Sequence, residues 1–78
     1  MNVLIVENES KTILDLKTIL GNLGHTVIAV ASSGKDGVKK TDDLNPDLIL
    51  INIKLNGKMN GVKAANKIRD SHRIPSYS

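Results

Sequence analysis

The segment LILINI, residues 48–53, decides the fold: it is a run of leucine and isoleucine interrupted only by Asn52. Two other segments have the same character, since residues 3–6 read VLIV and residues 26–31 read TVIAVA. Runs that are apolar at successive positions, rather than at alternate ones, are typical of parallel strands covered on both faces. The sequence therefore predicts three strands of a parallel sheet, each buried between two layers.

A helix is predicted between the first two strands. Apolar residues recur there at steps of three, four and three, which places on one helical face Ile13, Leu16, Leu20 and Leu23. Gly24 follows at the position where helices often end in a left-handed residue. The connection from the first strand to the second is therefore long enough for a crossover between parallel strands.

Two further helices are predicted after the second and third strands. Ser33 and Asp36 stand three residues apart, as in a capping box at the start of a helix. The helical spacing gives this second helix a face of Val38, Thr41 and Leu44. Because Gly37 lies inside it, we expect the second helix to be weak. The third helix is predicted from about Asn60 to His72, with a face of Val62, Ala65 and Ile68.

The composition limits the class of protein. The chain has 78 residues, 40% apolar and 24% charged, with a net charge of +3, which indicates one small domain. A domain of this size has a stability of roughly 4–12 kcal/mol. Cysteine is absent, which excludes disulfides, thiolate zinc sites and thiol nucleophiles. No apolar run approaches the roughly 18 residues that span a bilayer, so we expect a cytoplasmic protein without membrane contacts.

Polar residues follow two of the three predicted strands. Glu7 and Asn8 come directly after the first strand, and Asn52 lies near the end of the third. In βαβ units with right-handed crossovers, the functional crevice lies at the carboxyl ends of the strands. If the strand order is 2-1-3, these three side chains meet at one edge of the sheet.

The sequence resembles the response-regulator receiver domain, the flavodoxin-like module that takes a phosphoryl group from a histidine kinase. The resemblance runs from Asn2 to Pro75 and is carried by three segments: LIVENES at residues 4–10, DLILINIKL at residues 47–55 and NGKMNGVKAANKIR at residues 56–69. It implies an α/β fold in three layers, a βαβαβα half-receiver with a parallel sheet of order 2-1-3. The domain would occupy residues 1–75, truncated after the third helix, and leave residues 76–78 as a tail.

The resemblance also assigns the polar residues to positions of the family's site. Asn52 stands at the phosphoacceptor position, and Glu7 and Asn8 stand at the acidic pair. A vestigial metal site would comprise Glu7, Asn8, Asn52 and the backbone of Lys54. An amide is not the nucleophile that attacks phosphohistidine, and Mg²⁺ prefers carboxylates. We therefore expect no catalytic residue, no phosphorylation, and a Mg²⁺ site that is lost or very weak.

Two of these positions also have ordinary structural interpretations. An exposed carboxylate such as Glu7 is favourable at a helix N-terminus because it interacts with the helix dipole. Asn8 precedes the first predicted helix and suits an N-cap or a turn. The resemblance leaves a further gap, because the family's switch Thr or Ser and its phosphate-binding Lys have no counterpart in these 78 residues.

Basic residues concentrate near the end of the sequence. The last 25 residues contain six lysines and arginines against Asp70 alone. A basic interaction face would consist of Lys58, Lys63, Lys67, Arg69 and Arg73. The alternative function that this face suggests is a small nucleic-acid-associated protein. We favour a solvated helix face instead, because the sole aromatic residue, Tyr77, provides no stacking platform.

The function we expect is that of a degenerate receiver-like protein of a two-component phosphorelay, which is not an enzyme and acts through protein–protein contact. A truncated remnant or fragment without regulatory function is a further alternative. The expected partners are a histidine kinase or other signalling protein, and a second copy of the chain. The segment Ile74–Tyr77 contains Pro75, a poor member of a strand ladder, so the third strand is predicted to have an open edge that pairs in a homodimer. The competing arrangement is helix-to-helix dimerisation with the tail capping that edge.

Overall fold

The computed structural model describes residues 1–52, 66, 76 and 77. Its helices are α1 (Ser10–Asn22) and α2 (Gly34–Leu44), and its strands are β1 (Asn2–Val6), β2 (Thr26–Ala31), β3 (Leu48–Ile51) and β4 (Ser76–Tyr77). Of the third predicted helix the described part includes Asn66, which is helical and exposed. The rest of that helix, Lys54 and the basic interaction face lie outside the described residues.

The strands form one parallel sheet in the order β2-β1-β3-β4. The predicted order 2-1-3 is confirmed. β1 pairs with β3 from Val3 and Leu48 to Val6 and Ile51, and its register with β2 shifts between Val3 and Leu4. β3 ends at Ile51, so Asn52 follows the strand instead of lying inside it. The carboxyl ends of β1 and β3 therefore lie side by side.

The edge of β3 differs from the prediction. Ile49 and Leu50 of β3 are in register with Ser76 and Tyr77 of β4. Pro75 comes just before the two paired residues in the sequence and lies outside the described residues. The prediction of a tail at residues 76–78 is wrong for Ser76 and Tyr77, and so is the prediction of an open β3 edge. β4 pairs with Ile49 and Leu50 of this edge, as in the competing arrangement in which the tail caps it, and a homodimer stays a prediction.

The sheet has an α1 side and an α2 side, as the three-layer prediction requires. On the α2 side, Val38 packs on a buried cluster of Leu4, Val6, Ala31, Ile49 and Ile51. On the α1 side, Leu16 packs on a buried cluster of Val3, Ile5 and Leu20. All four residues from Val3 to Val6 have no solvent exposure, because β1 is central in the sheet and has a helix over each face. Their successive burial accounts for the unbroken apolar run.

α1 presents only part of its predicted face to the sheet. Leu20 is buried, and Ile13 and Leu16 are half-buried. Leu23 is 67% exposed, so its assignment to the buried face is wrong. It is the C-cap residue and so lies beyond the last residue of the helix, Asn22. Gly24 has a φ of 85°, which confirms the predicted left-handed residue at this helix end.

α2 begins as predicted. The Ser33 hydroxyl oxygen accepts a hydrogen bond from the backbone N–H of Asp36 at 3.1 Å. The reciprocal half of a capping box does not form, because the Asp36 carboxylate pairs with the Lys40 ammonium at 2.7 Å. Thr41 is fully buried and donates its hydroxyl to the Gly37 carbonyl at 2.8 Å. Leu44, the last residue of the helix, is 46% exposed, so its predicted place on the buried face is wrong.

Gly37 gives α2 its close contact with β1. A Cβ atom at this position would lie 2.8 Å from Cγ2 and 3.2 Å from Cγ1 of Val6. Contacts this short do not occur without a shift of the neighbouring atoms. The glycine that predicts a weak helix is thus the residue that lets the helix approach the central strand.

No helix in the described part of the chain is both long enough and apolar enough to cross a membrane.

Candidate functional site at the carboxyl ends of β1 and β3

The ladder of the sheet continues one residue beyond β1 and β3. The backbone N–H of Glu7 donates to the Ala31 carbonyl at 2.9 Å, and the backbone N–H of Asn52 donates to the Val6 carbonyl at 3.0 Å. These bonds fix the backbones of Glu7 and Asn52 at one edge of the sheet. The predicted juxtaposition of these two residues is therefore observed.

Glu7 is only 5% exposed. The interpretation of its side chain as an exposed carboxylate is wrong, because the residue follows the central strand and is flanked by the ends of β2 and β3. Its Oε1 accepts a hydrogen bond from the backbone N–H of Glu9 at 3.1 Å. This bond satisfies one of the free N–H groups at the start of α1 and fixes the carboxylate against the helix.

Asn8 is exposed and does not act as the N-cap. The N-cap is Glu9, in extended conformation with φ −93° and ψ 117°, and its side chain makes no capping hydrogen bond to the backbone. Instead, Glu9 Oε1 accepts the hydroxyl proton of Thr12 at 2.9 Å. The interpretation of Asn8 as an N-cap is therefore wrong by one residue.

A cavity of about 400 Å³ opens beside these residues. It is lined by Val6, Glu7, Glu9, Thr12, Leu16, Leu50, Ile51 and Asn52. Two of these residues, Glu7 and Asn52, are predicted site residues, and Asn8 does not line the cavity. The sequence reasoning missed the part that α1 contributes. A signal for it exists, since Thr12 and Leu16 follow Glu9 at helical spacing of three and seven residues.

The residues at this edge are a poor match for a divalent cation such as Mg²⁺. The three positions that the resemblance assigns to the acidic site, Glu7, Asn8 and Asn52, offer one carboxylate and two amides, whereas Mg²⁺ prefers charged oxygen ligands. One oxygen of Glu7 already accepts a backbone N–H, and Asn8 is exposed. Within residues 1–52, 66, 76 and 77 there is no cluster of three or more His, Asp or Glu side chains suited to a metal. A Mg²⁺ site that is lost or very weak therefore stays a prediction.

Comparisons with known proteins agree with this architecture. The Phyllosphere-induced regulator PhyR of Methylorubrum extorquens is 34% identical over 74 residues, which are 94% of this chain and 28% of that protein. The signal receiver domain of a modulated diguanylate cyclase from Desulfovibrio desulfuricans superimposes with a TM-score of 0.89 at 33% identity, over 96% of this chain and 60% of that one. The anti-anti-sigma factor PhyR of Bartonella quintana, solved in complex with the anti-sigma factor NepR, gives 0.88 at 33% identity, over 96% and 31%.

The chain thus spans less than a third of the length of the first of these relatives. The sequence model of the response regulator receiver domain matches residues 3–77, which is almost the whole chain. That range includes β4, which the structure adds to the sheet beyond β3. By fold, sequence and coverage, the chain belongs to the response regulator receiver domain family.

Proposed function

We propose that this chain is a non-phosphorylatable receiver of a two-component phosphorelay, which acts through protein–protein contact and not as an enzyme. The observation that carries the proposal is the amide of Asn52 at the end of β3, beside the end of β1. In the receiver family this position is that of the phosphoacceptor carboxylate. A carboxamide cannot replace it as a nucleophile toward phosphorus.

The surroundings of Asn52 support the same proposal. Asn52 is half-buried and its backbone is tied to Val6, so the site is a defined position in the fold. Phosphoryl transfer needs a cation that neutralises charge, and Glu7, Asn8 and Asn52 are weak ligands for it because only one of them is a carboxylate. Both the nucleophile and the electrostatic support for phosphorylation are therefore weakened together.

Contact with another protein is the remaining mode of action for a receiver without phosphorylation. The solved PhyR of Bartonella quintana is bound to an anti-sigma factor, which supports a signalling protein as the partner class. A histidine kinase is the other partner that the family suggests. A homodimer through β3 is not part of the proposal, because β4 pairs with the strand that would form it. The absence of cysteine supports a cytoplasmic setting.

The nucleic-acid alternative has less support. It depends on Lys58, Lys63, Lys67, Arg69 and Arg73, which lie outside the described residues. The family match over residues 3–77 favours signalling.

Phosphorylation of the intact chain tests the proposal. The protein is incubated with acetyl phosphate and Mg²⁺ and weighed by mass spectrometry, beside a receiver that carries Asp at the acceptor position. We expect no phosphoryl adduct on this chain and a clear adduct on the control receiver. The matched variant is the double substitution Asn8→Asp and Asn52→Asp. Weak labelling of that variant, with none of the parent, would assign the loss to the two amides.

Two results of the same experiment would contradict the proposal. A hydroxylamine-sensitive phosphoryl adduct within residues 48–55 of the parent chain would contradict the proposal, because that sensitivity identifies an acyl phosphate. An adduct elsewhere in the chain that persists in the double variant at the same level would also contradict it.

A further inference from the structure

We draw no further inference here: the strongest candidate, the surface of apolar side chains left exposed on α1 and at its C-cap by Leu14, Ile19 and Leu23, carries nothing because nothing in the structure shows what covers it.

Discussion

The α2 side and the α1 side of the sheet are built differently. On the α2 side, Gly37 brings the helix against Val6, Thr41 is fully buried, and Ser33 caps the helix. On the α1 side, the N-cap residue Glu9 makes no side-chain hydrogen bond to the helix backbone, and a cavity remains beside β3. Large apolar side chains of α1 also face solvent, with Leu14 64% and Ile19 55% exposed. The difference shows that one layer of this domain is closed by tight packing, while the other retains accessible surface.

The largest expected difference in stability is between two leucine-to-alanine substitutions, one on each side of the sheet. Leu4→Ala removes a fully buried side chain from the α2-side cluster and should cost about 3–5 kcal/mol. Because the whole domain has only roughly 4–12 kcal/mol, much of this variant should be unfolded. Leu16→Ala removes a half-buried side chain that already borders a cavity and should cost about 1 kcal/mol. Urea unfolding followed by circular dichroism measures both, and equal losses would contradict the comparison.

Alanine substitutions at two helical glycines should change the stability by a smaller amount, with a loss in α2 and a gain in α1. Gly37→Ala places a Cβ atom 2.8 Å from Val6 Cγ2, so overpacking of about 1–3 kcal/mol should outweigh the gain in helix propensity of about 1 kcal/mol. Gly21→Ala lies in α1, where a Cβ atom would meet nothing within 4 Å, and should stabilise the domain by about 0.5–1 kcal/mol. Thermal unfolding of the two variants reports the sign directly. If Gly37→Ala raised the melting temperature, α2 would not be closely packed on β1.

The smallest expected effect concerns the two helix starts. Ser33→Ala removes the side-chain acceptor for the Asp36 N–H and should cost about 1 kcal/mol. Glu9→Ala removes no capping bond to the backbone, so the cost should be about 0.5 kcal/mol or less. Both are measured from chemical unfolding midpoints. A larger loss for Glu9→Ala than for Ser33→Ala would show that the Thr12 hydrogen bond is the stronger anchor of the two.

The sequence predicts those features that depend on neighbouring residues. The apolar runs indicate β1, β2 and β3, and the local patterns at Ser33 and Gly24 indicate a helix start and a helix end. The strand order, by contrast, is implied by the resemblance to the receiver family. These predictions succeed because an apolar run, a helix cap and a left-handed residue are each determined by residues that are close together in the sequence.

Features that depend on distant contacts are missed. Nothing near Gly37 shows that Val6 lies against it, and nothing near Ser76 shows that Ile49 is its partner. The burial of Glu7 is missed for the same reason, since it arises from the flanking ends of β2 and β3. The residues of α1 that line the cavity, from Glu9 to Leu16, could be predicted only from the angle at which the helix packs on the sheet. The spacing of residues in the sequence does not give this angle.

The position of β1 has a consequence for how the chain is made. Among the strands of the described sheet β1 is synthesised first, but both of its neighbours, β2 and β3, follow it in sequence, and β3 ends only at Ile51. Until then, Val3–Val6 have a strand on one edge alone, and an unpaired apolar edge is the kind of surface that associates with other chains. Release of the nascent chain before residue 51 should therefore yield aggregation-prone fragments. A chaperone that shields the free edge of β1 is needed only until β3 pairs with it.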